Sequence, residues 1–124
     1  MRADAAAALD AVADRSVCDL ETIGRVTGLP RVVELWFAAE DGHVYFLAGG
    51  GDRADWVRNI RRRPPVRVQI GGRWFTGSAR VVEPGPEERR ARELIAAKYQ
   101  AWRPGSGLSR WATTALPIAV DLQR

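Results

Sequence analysis

The run Arg31-Val32-Val33-Glu34-Leu35-Trp36-Phe37-Ala38, followed by Glu40-Asp41-Gly42 and then His43-Val44-Tyr45-Phe46-Leu47, decides the fold class of this chain. β-branched and aromatic residues fill both arms, and Asp-Gly between apolar runs is a strong hairpin signal. Two antiparallel strands, 31–38 and 43–47, are therefore expected. Upstream, residues 17–23 are mixed β-branched and apolar and stop at Gly24-Arg25-Val26-Thr27-Gly28, which reads as a first strand with its hairpin loop. Downstream, Val66-Arg67-Val68-Gln69-Ile70 alternates with period two, Gly71-Gly72 turns the chain, and residues 74–82 return. A last strand is expected over 118–122.

Helical patterns separate these strands. Residues 2–14 are alanine-rich with Leu9 and Val12 on one side, a short helix placed across an open end of the core. Residues 52–63 carry Trp56, Val57 and Ile60 as one apolar stripe, with Asp52 as the expected cap and Pro64-Pro65 as the stop. Pro84-Gly85-Pro86 introduces a third helix, with Glu87 and Glu88 in its first turn and Ala91, Leu94, Ile95, Tyr99 and Trp102 at spacings of three and four. A loop through Pro104-Gly105-Ser106-Gly107 follows. Six strands joined mostly by tight hairpins favour antiparallel pairing, hence an α+β or mainly β architecture in which the sheet closes toward a small barrel. No repeat or linker divides residues 1–124, so one domain is expected.

Composition narrows the function. The apolar fraction of 46% and charged fraction of 27% are those of a globular chain. Cys18 is the only cysteine, which excludes an intramolecular disulfide framework and any multi-thiolate metal site. No apolar run approaches the roughly 18 residues of a membrane span, and Asp4, Asp10 and Asp14 interrupt the N-terminal alanines, so a cytoplasmic protein is expected. The net charge of +4 is carried almost wholly by arginine, Lys98 being the sole lysine. Such a balance implies an anionic partner, although arginine enrichment beside alanine also follows from a GC-rich coding sequence.

Chemistry concentrates in Tyr45-Phe46-Leu47-Ala48-Gly49-Gly50-Gly51-Asp52-Arg53-Ala54-Asp55-Trp56, a strand running through glycines into a helix start. Successive N–H groups in such a turn, together with the positive end of a helix, suit a phosphate, and Arg53 adds a forked cation. The alternative is that Gly49, Gly50 and Gly51 only let the strand turn tightly. No Gly-Lys-Ser/Thr is present, so this is not a P-loop. Gly49, Gly51 and Ala54 satisfy the dinucleotide spacing, but no acidic residue stands about 20 positions on, around 69–73. Arg31 opens a strand beside a hairpin and can aim its planar fork at the same anion, unless it is a solvated strand-end residue. Arg25 and Thr27 lie in that hairpin as further donors.

Catalytic sets are missing. His43 is the single histidine and is expected on an exposed strand position; Cys18 reads as a small buried hydrophobe. Any enzymology is therefore carried by a cofactor. The run Arg58, Arg61, Arg62, Arg63 reads as a solvated helix face rather than a nucleic-acid site, with Trp36, Trp56, Trp74 and Trp102 expected to pack.

Thr22-Ile23-Gly24-Arg25-Val26-Thr27-Gly28-Leu29-Pro30-Arg31, the strand holding Glu34-Leu35-Trp36-Phe37, the glycine turn and Asp55-Trp56-Val57-Arg58-Asn59-Ile60 together resemble the deazaflavin-dependent nitroreductase family, within the pyridoxamine-phosphate-oxidase-like flavin-binding superfamily. The resemblance runs from about residue 17 to residue 82. It implies a six-stranded antiparallel split β-barrel with flanking helices, and it implies reduced 8-hydroxy-5-deazaflavin (coenzyme F-420) as cofactor, with FMN as the alternative. It further implies hydride transfer to a small electron-poor acceptor such as a quinone, enone or nitro compound, or else a non-catalytic cofactor-sequestering role. By resemblance Arg31 holds the phosphate or polyglutamyl tail, the backbone of Val32, Val33 and Glu34 lies beside the ring system, Gly49 to Arg53 close over the phosphate, and Trp56 and Asn59 face the cofactor. Trp36, Tyr99 and Trp102 are expected to border the acceptor. The chain departs from the family pattern at Val26, often basic, and at Gly49-Gly50, often Ser-Lys. Barrels of this size often form homodimers.

Overall fold

The computed structural model describes residues 4–123. It contains seven strands in one antiparallel sheet: β1 (Cys18–Ile23), β2 (Pro30–Leu35), β3 (Ala38–Glu40), β4 (His43–Ala48), β5 (Pro65–Ile70), β6 (Arg73–Val81) and β7 (Leu116–Leu122), in the order β2-β1-β5-β6-β7-β4-β3. The helices are α1 (Ala5–Asp10), α2 (Asp55–Arg62), α3 (Pro86–Tyr99) and α4 (Arg110–Thr114).

The expected strand 31–38 is two strands. β2 pairs with β1, Thr22 opposite Arg31, while β3 pairs with β4, Ala38 opposite Tyr45. Trp36 and Phe37 carry the chain from one edge of the sheet to the other. A two-residue link between its terminal strands requires the sheet to curl, so the architecture is a seven-stranded half-barrel that splits between β2 and β3, not six strands. The two predicted hairpin turns hold: Asp41 and Gly42 have φ of 53° and 79°, Gly71 and Gly72 of 58° and 77°, the paired left-handed conformation that two-residue turns of right-twisted strands demand.

Inside the curl, Leu20, Val44, Phe46, Val68, Ile70, Ile118 and Val120 pack with Leu9 of α1 and Ile60 of α2. Tyr45, Leu47 and Ala119 face the other way, onto Ala91, Ile95 and Ala96 of α3 and Ala112 of α4. Strand β4 thus buries both faces, which explains its unbroken apolar run. The helices depart from expectation at their ends. Residues 2 and 3 of the first expected helix lie outside the described residues, and the helical part is Ala5–Asp10. Asp52 does not cap α2: Gly51–Arg53 form a 3-10 turn, Ala54 is the cap residue without a side-chain bond, and the Asp52 carboxylate instead accepts from Arg61 Nε at 2.6 Å. α3 stops at Tyr99 because Ala101 turns left-handed, φ 56°, which takes Trp102 off the helix stripe. α4, in a stretch between the 104–107 loop and the last strand to which the sequence pattern assigns no element, is capped by the Ser109 hydroxyl, which accepts from Ala112 N–H.

Arg80 ties the start of α3 to the sheet. Its guanidinium donates to both carboxylate oxygens of Glu87, at 2.8 and 2.8 Å, and of Asp121, at 2.7 and 2.9 Å. Tyr45 donates to Glu87 at 2.9 Å, and His43 Nδ1 lies 2.7 Å from Asp121, so the histidine is half-buried and bonded rather than free. Hydrogen bonds from Arg80 hold the Glu87 and Asp121 carboxyls below their usual range, as Arg67 does for Glu21 and Arg90 for Glu40. Carboxyls depressed in the folded state contribute stability that is present above their unfolded pKa, near 4, and lost as pH falls through the folded value. We expect the thermal midpoint to be flat above about pH 5 and to drop toward pH 3, with a shallower drop in Arg80→Gln. Thermal melts across that range measure it.

Candidate functional site

The β1–β2 hairpin and α2 enclose a cleft of about 460 Å³, lined by Thr22, Gly24, Arg25, Val26, Thr27, Arg31, Val32, Val33, Asp55, Trp56 and Asn59. A buried polar network builds it. Asn59, 4% exposed, accepts from Arg25 N–H at 3.1 Å and Arg25 Nη1 at 2.9 Å through Oδ1, and donates through Nδ2 to the fully buried Thr22 hydroxyl at 3.1 Å. Arg25 also pairs with the exposed Asp55 carboxylate at 3.2 Å. One asparagine therefore sews the helix to the end of β1 and to the loop that follows it. Thr27 Oγ1 accepts from Leu29 N–H and shapes the loop, which closes through Gly24 N–H to Leu29 O at 2.8 Å. Trp56 stands edge-on to Phe46 at 5.9 Å, so the cleft floor rests on the core.

Arg31 differs from these. It opens β2 at the cleft wall, is exposed, and makes no ion pair among the described residues. Its positive charge is unneutralised beside the apolar Val32, Val33 and Trp56.

Of the residues singled out from sequence, Arg25, Thr27, Arg31, Val32, Val33, Trp56 and Asn59 come together in this cleft. Glu34, Gly49, Gly50, Gly51, Asp52 and Arg53 do not line it. Glu34 is exposed and sits opposite Asp19 of β1. Gly49 makes room for Trp111: a Cβ there would lie 3.1 Å from its indole nitrogen. Gly51 takes a left-handed φ of 56°, and Arg53 is exposed without an ion pair among the described residues. Thr22, Gly24, Val26 and Asp55 line the cleft without having been singled out as ligands. For Thr22 and Asp55 the sequence signal was their place at the start of the two runs that carry the family resemblance.

A second aromatic group lies where the sheet edges meet. Trp36 stacks on Tyr99 with ring centroids 4.4 Å apart and planes 1° from parallel, and Trp111 stands edge-on to Trp36 at 5.8 Å. Trp36 is 47% exposed and Trp74 42%, so neither is the packed core residue expected; Trp74 instead lies under Arg67 at 4.2 Å on the outer sheet face. Trp102 is not part of the stack: it donates to Ser106 O at 2.9 Å and lines a separate hollow with Gln100 and Leu108. Cys18 is buried, and burial pushes its thiol up to about 12, which removes it as a nucleophile. No cluster of three or more metal-ligating side chains occurs among the described residues, and no helix there is long and apolar enough to cross a membrane.

Residues 5–123 match the family described as F420H(2)-dependent quinone reductase. The chain belongs to that family. An F420H(2)-dependent quinone reductase of Mycobacterium tuberculosis is 31% identical over 81 residues, a stretch covering 61% of this chain and 54% of that protein. The match thus spans about half the length of the curated relative. Among solved structures, an F420-H2 dependent reductase superposes with a TM-score of 0.69 at 25% identity, covering 86% of this chain and 94% of that one. A structure described as a domain-swapped dimer gives a TM-score of 0.70 at 25% identity, over 86% and 81%. Two of the sequence runs that carried the resemblance meet at the cleft, Arg25, Val26, Thr27 and Arg31 from the hairpin and Asp55, Trp56 and Asn59 from α2.

Proposed function

We propose that this family member binds a reduced deazaflavin in the hairpin–α2 cleft and reduces a quinone with it. The carrying observation is Arg31, an unneutralised guanidinium at the wall of a cleft that also presents the apolar side chains of Val32, Val33 and Trp56. That donor set fits a flat ring with an anionic tail: Val32, Val33 and Trp56 offer apolar surface, and the guanidinium offers a forked pair of N–H donors to phosphate oxygens. Arg25 is already committed to Asn59 and Asp55, so in this reading it positions the loop rather than gripping the ligand. Arg53, two residues before Asp55, supplies a second exposed cation for the tail, and the glycine turn sets where it stands. Bound in the cleft, the reduced deazaflavin supplies the hydride. The chain's own residues hold the ring against β2 and exclude water from it, the kind of positioning that lowers a barrier without an acid–base side chain.

The acceptor is assigned to Trp36 and Tyr99, with Trp111 at their edge. Trp36 directly follows Leu35, the last residue of β2, and Arg31, Val32 and Val33 of that same strand line the cleft. FMN is the competing cofactor. Titration with deazaflavin and FMN side by side is expected to favour deazaflavin, and Arg31→Ala is expected to raise its dissociation constant at least tenfold, about 1.4 kcal/mol. Unchanged binding by fluorescence would remove Arg31 from the site. As assembly we propose a homodimer, supported by the domain-swapped relative and by edge strand β2, which exposes Val32; light scattering on the purified protein tests it.

A further inference from the structure

The link Trp36–Phe37 crosses between the two terminal strands and is held almost entirely from the last turn of α3. Lys98 Nζ donates to Phe37 O at 3.0 Å and to Ala13 O, beyond α1, at 2.9 Å. The ammonium also lies 3.7 Å from the centroid of the Phe37 ring and 5.2 Å from that of Tyr99. The Tyr99 hydroxyl accepts from Phe37 N–H at 3.0 Å and has Phe37 O and Ser16 O as alternative acceptors at 3.0 and 2.8 Å. Phe37 itself is fully buried. Its N–H, its carbonyl and its ring are therefore all fixed by two neighbouring residues of one helix.

Trp36 has no strand ladder of its own, since β2 ends at Leu35 and β3 begins at Ala38. Its orientation follows from the peptide it shares with Phe37. We propose that Lys98 is a positioning residue for the acceptor: by tethering Phe37 it holds the Trp36 indole flat against Tyr99, so that the ledge is formed before the acceptor arrives. This rests on the reading of Trp36 and Tyr99 as the acceptor ledge. A lysine suits the task because one ammonium donates to carbonyls of two separate segments and still presents a positive face to an aromatic ring, which no apolar side chain does. Burial lowers the Lys98 pKa, the mark of a charge kept inside at some cost. If the lysine were only a rivet for α1 and α3, its loss would lower the melting temperature and leave kinetics intact. As a positioning residue its loss alters acceptor binding selectively.

The test compares Lys98→Met, Lys98→Gln, Lys98→Arg and Trp36→Ala as full-length proteins, each loaded with reduced deazaflavin. Readouts are quinone KM and kcat, the deazaflavin dissociation constant by fluorescence, and the near-UV circular dichroism that Trp36 contributes through its stack on Tyr99. In Lys98→Met we expect quinone KM to rise about tenfold with kcat and deazaflavin affinity within about twofold, and the Trp36-dependent dichroism to collapse. Lys98→Arg should restore most of both. Lys98→Gln, which keeps an amide donor, decides the matter if the methionine variant does not fold, and should fall between the two. Quinone KM unchanged in a folded Met or Gln variant, while Trp36→Ala raises it, overturns the role of Lys98 alone. If Trp36→Ala leaves quinone KM unchanged, the ledge reading falls and this inference with it.

Discussion

Asn59→Leu should lose about 3 kcal/mol of stability, a drop in thermal midpoint of roughly 10 °C for a chain of this length. Leucine fills nearly the same volume, so little of this is a cavity. The loss is in satisfaction: the Thr22 hydroxyl and the Arg25 amide lose the partner that now serves both, and Thr22 is fully buried. An unmet buried polar group costs about 1–3 kcal/mol, and two are orphaned together. Arg25 keeps its contact to Asp55, but that carboxylate is 83% exposed and holds it only weakly. Asn59→Asp gives the control. A carboxylate still accepts from Arg25 and accepts the Thr22 proton, so it should lose less than half as much. Because the same bonds fix the hairpin against α2, deazaflavin affinity should fall in Asn59→Leu at temperatures where the protein is still folded. Calorimetry gives the first quantity and fluorescence titration the second. A stability loss under about 1 kcal/mol would mean that water replaces the amide and that the network does not organise the cleft.

What could be read from the residues was what short-range physics decides. Asp41-Gly42 and Gly71-Gly72 announced their turns because only such residues enter two consecutive left-handed positions cheaply. The break at Trp36-Phe37 had no local signal, since tryptophan and phenylalanine are as much strand formers as the residues around them. It arises because β1 claims residues 30–35 and β4 claims 38–40, a decision made by partners distant in sequence. α4 shows the same limit from the other side. Five residues are too few for a helical period to declare itself, although Ser109 was there as a cap. Missing α4 meant missing Trp111, and with it the reason for Gly49.

The candidate site was legible where it is local. The hairpin from Gly24 to Arg31 and the first turns of α2 each carried their donors in sequence, and folding brought them into one cleft. The glycine run was legible as a turn into a helix start, but composition says nothing of which side of that turn a neighbour occupies. The side fell to Trp111. Likewise Tyr99 and Trp36 were named for aromatic character, while the geometry adds that they stack and that Trp102 does not join them.

Gly77 sharpens the point, and its replacement is the other large effect expected. A lone glycine inside the alternating run of β6 hints at a close backbone approach without saying what approaches, and its φ lies outside the left-handed region that would make glycine obligatory. Yet a Cβ at this position would stand 2.5 Å from the Asp121 carbonyl oxygen, 2.8 Å from Val120 Cγ1 and 3.1 Å from the Asp121 carbonyl carbon. The nearest atom belongs to backbone, so no rotamer change relieves it. Gly77 is paired on both sides, with Val66 of β5 and Leu122 of β7, and moving either strand away breaks ladder bonds near the point where Asp121 meets Arg80. Overpacking of a well-packed interior costs about 1–3 kcal/mol when side chains can adjust; with a backbone carbonyl in the way we expect Gly77→Ala to lie at the upper end, about 3 kcal/mol, and Gly77→Val not to fold. Thermal and urea unfolding of the alanine variant measure this. A loss below about 1 kcal/mol would mean that β6 and β7 separate easily at this point, so that the curl of the sheet, and with it the two-residue crossing at Trp36-Phe37, is set elsewhere.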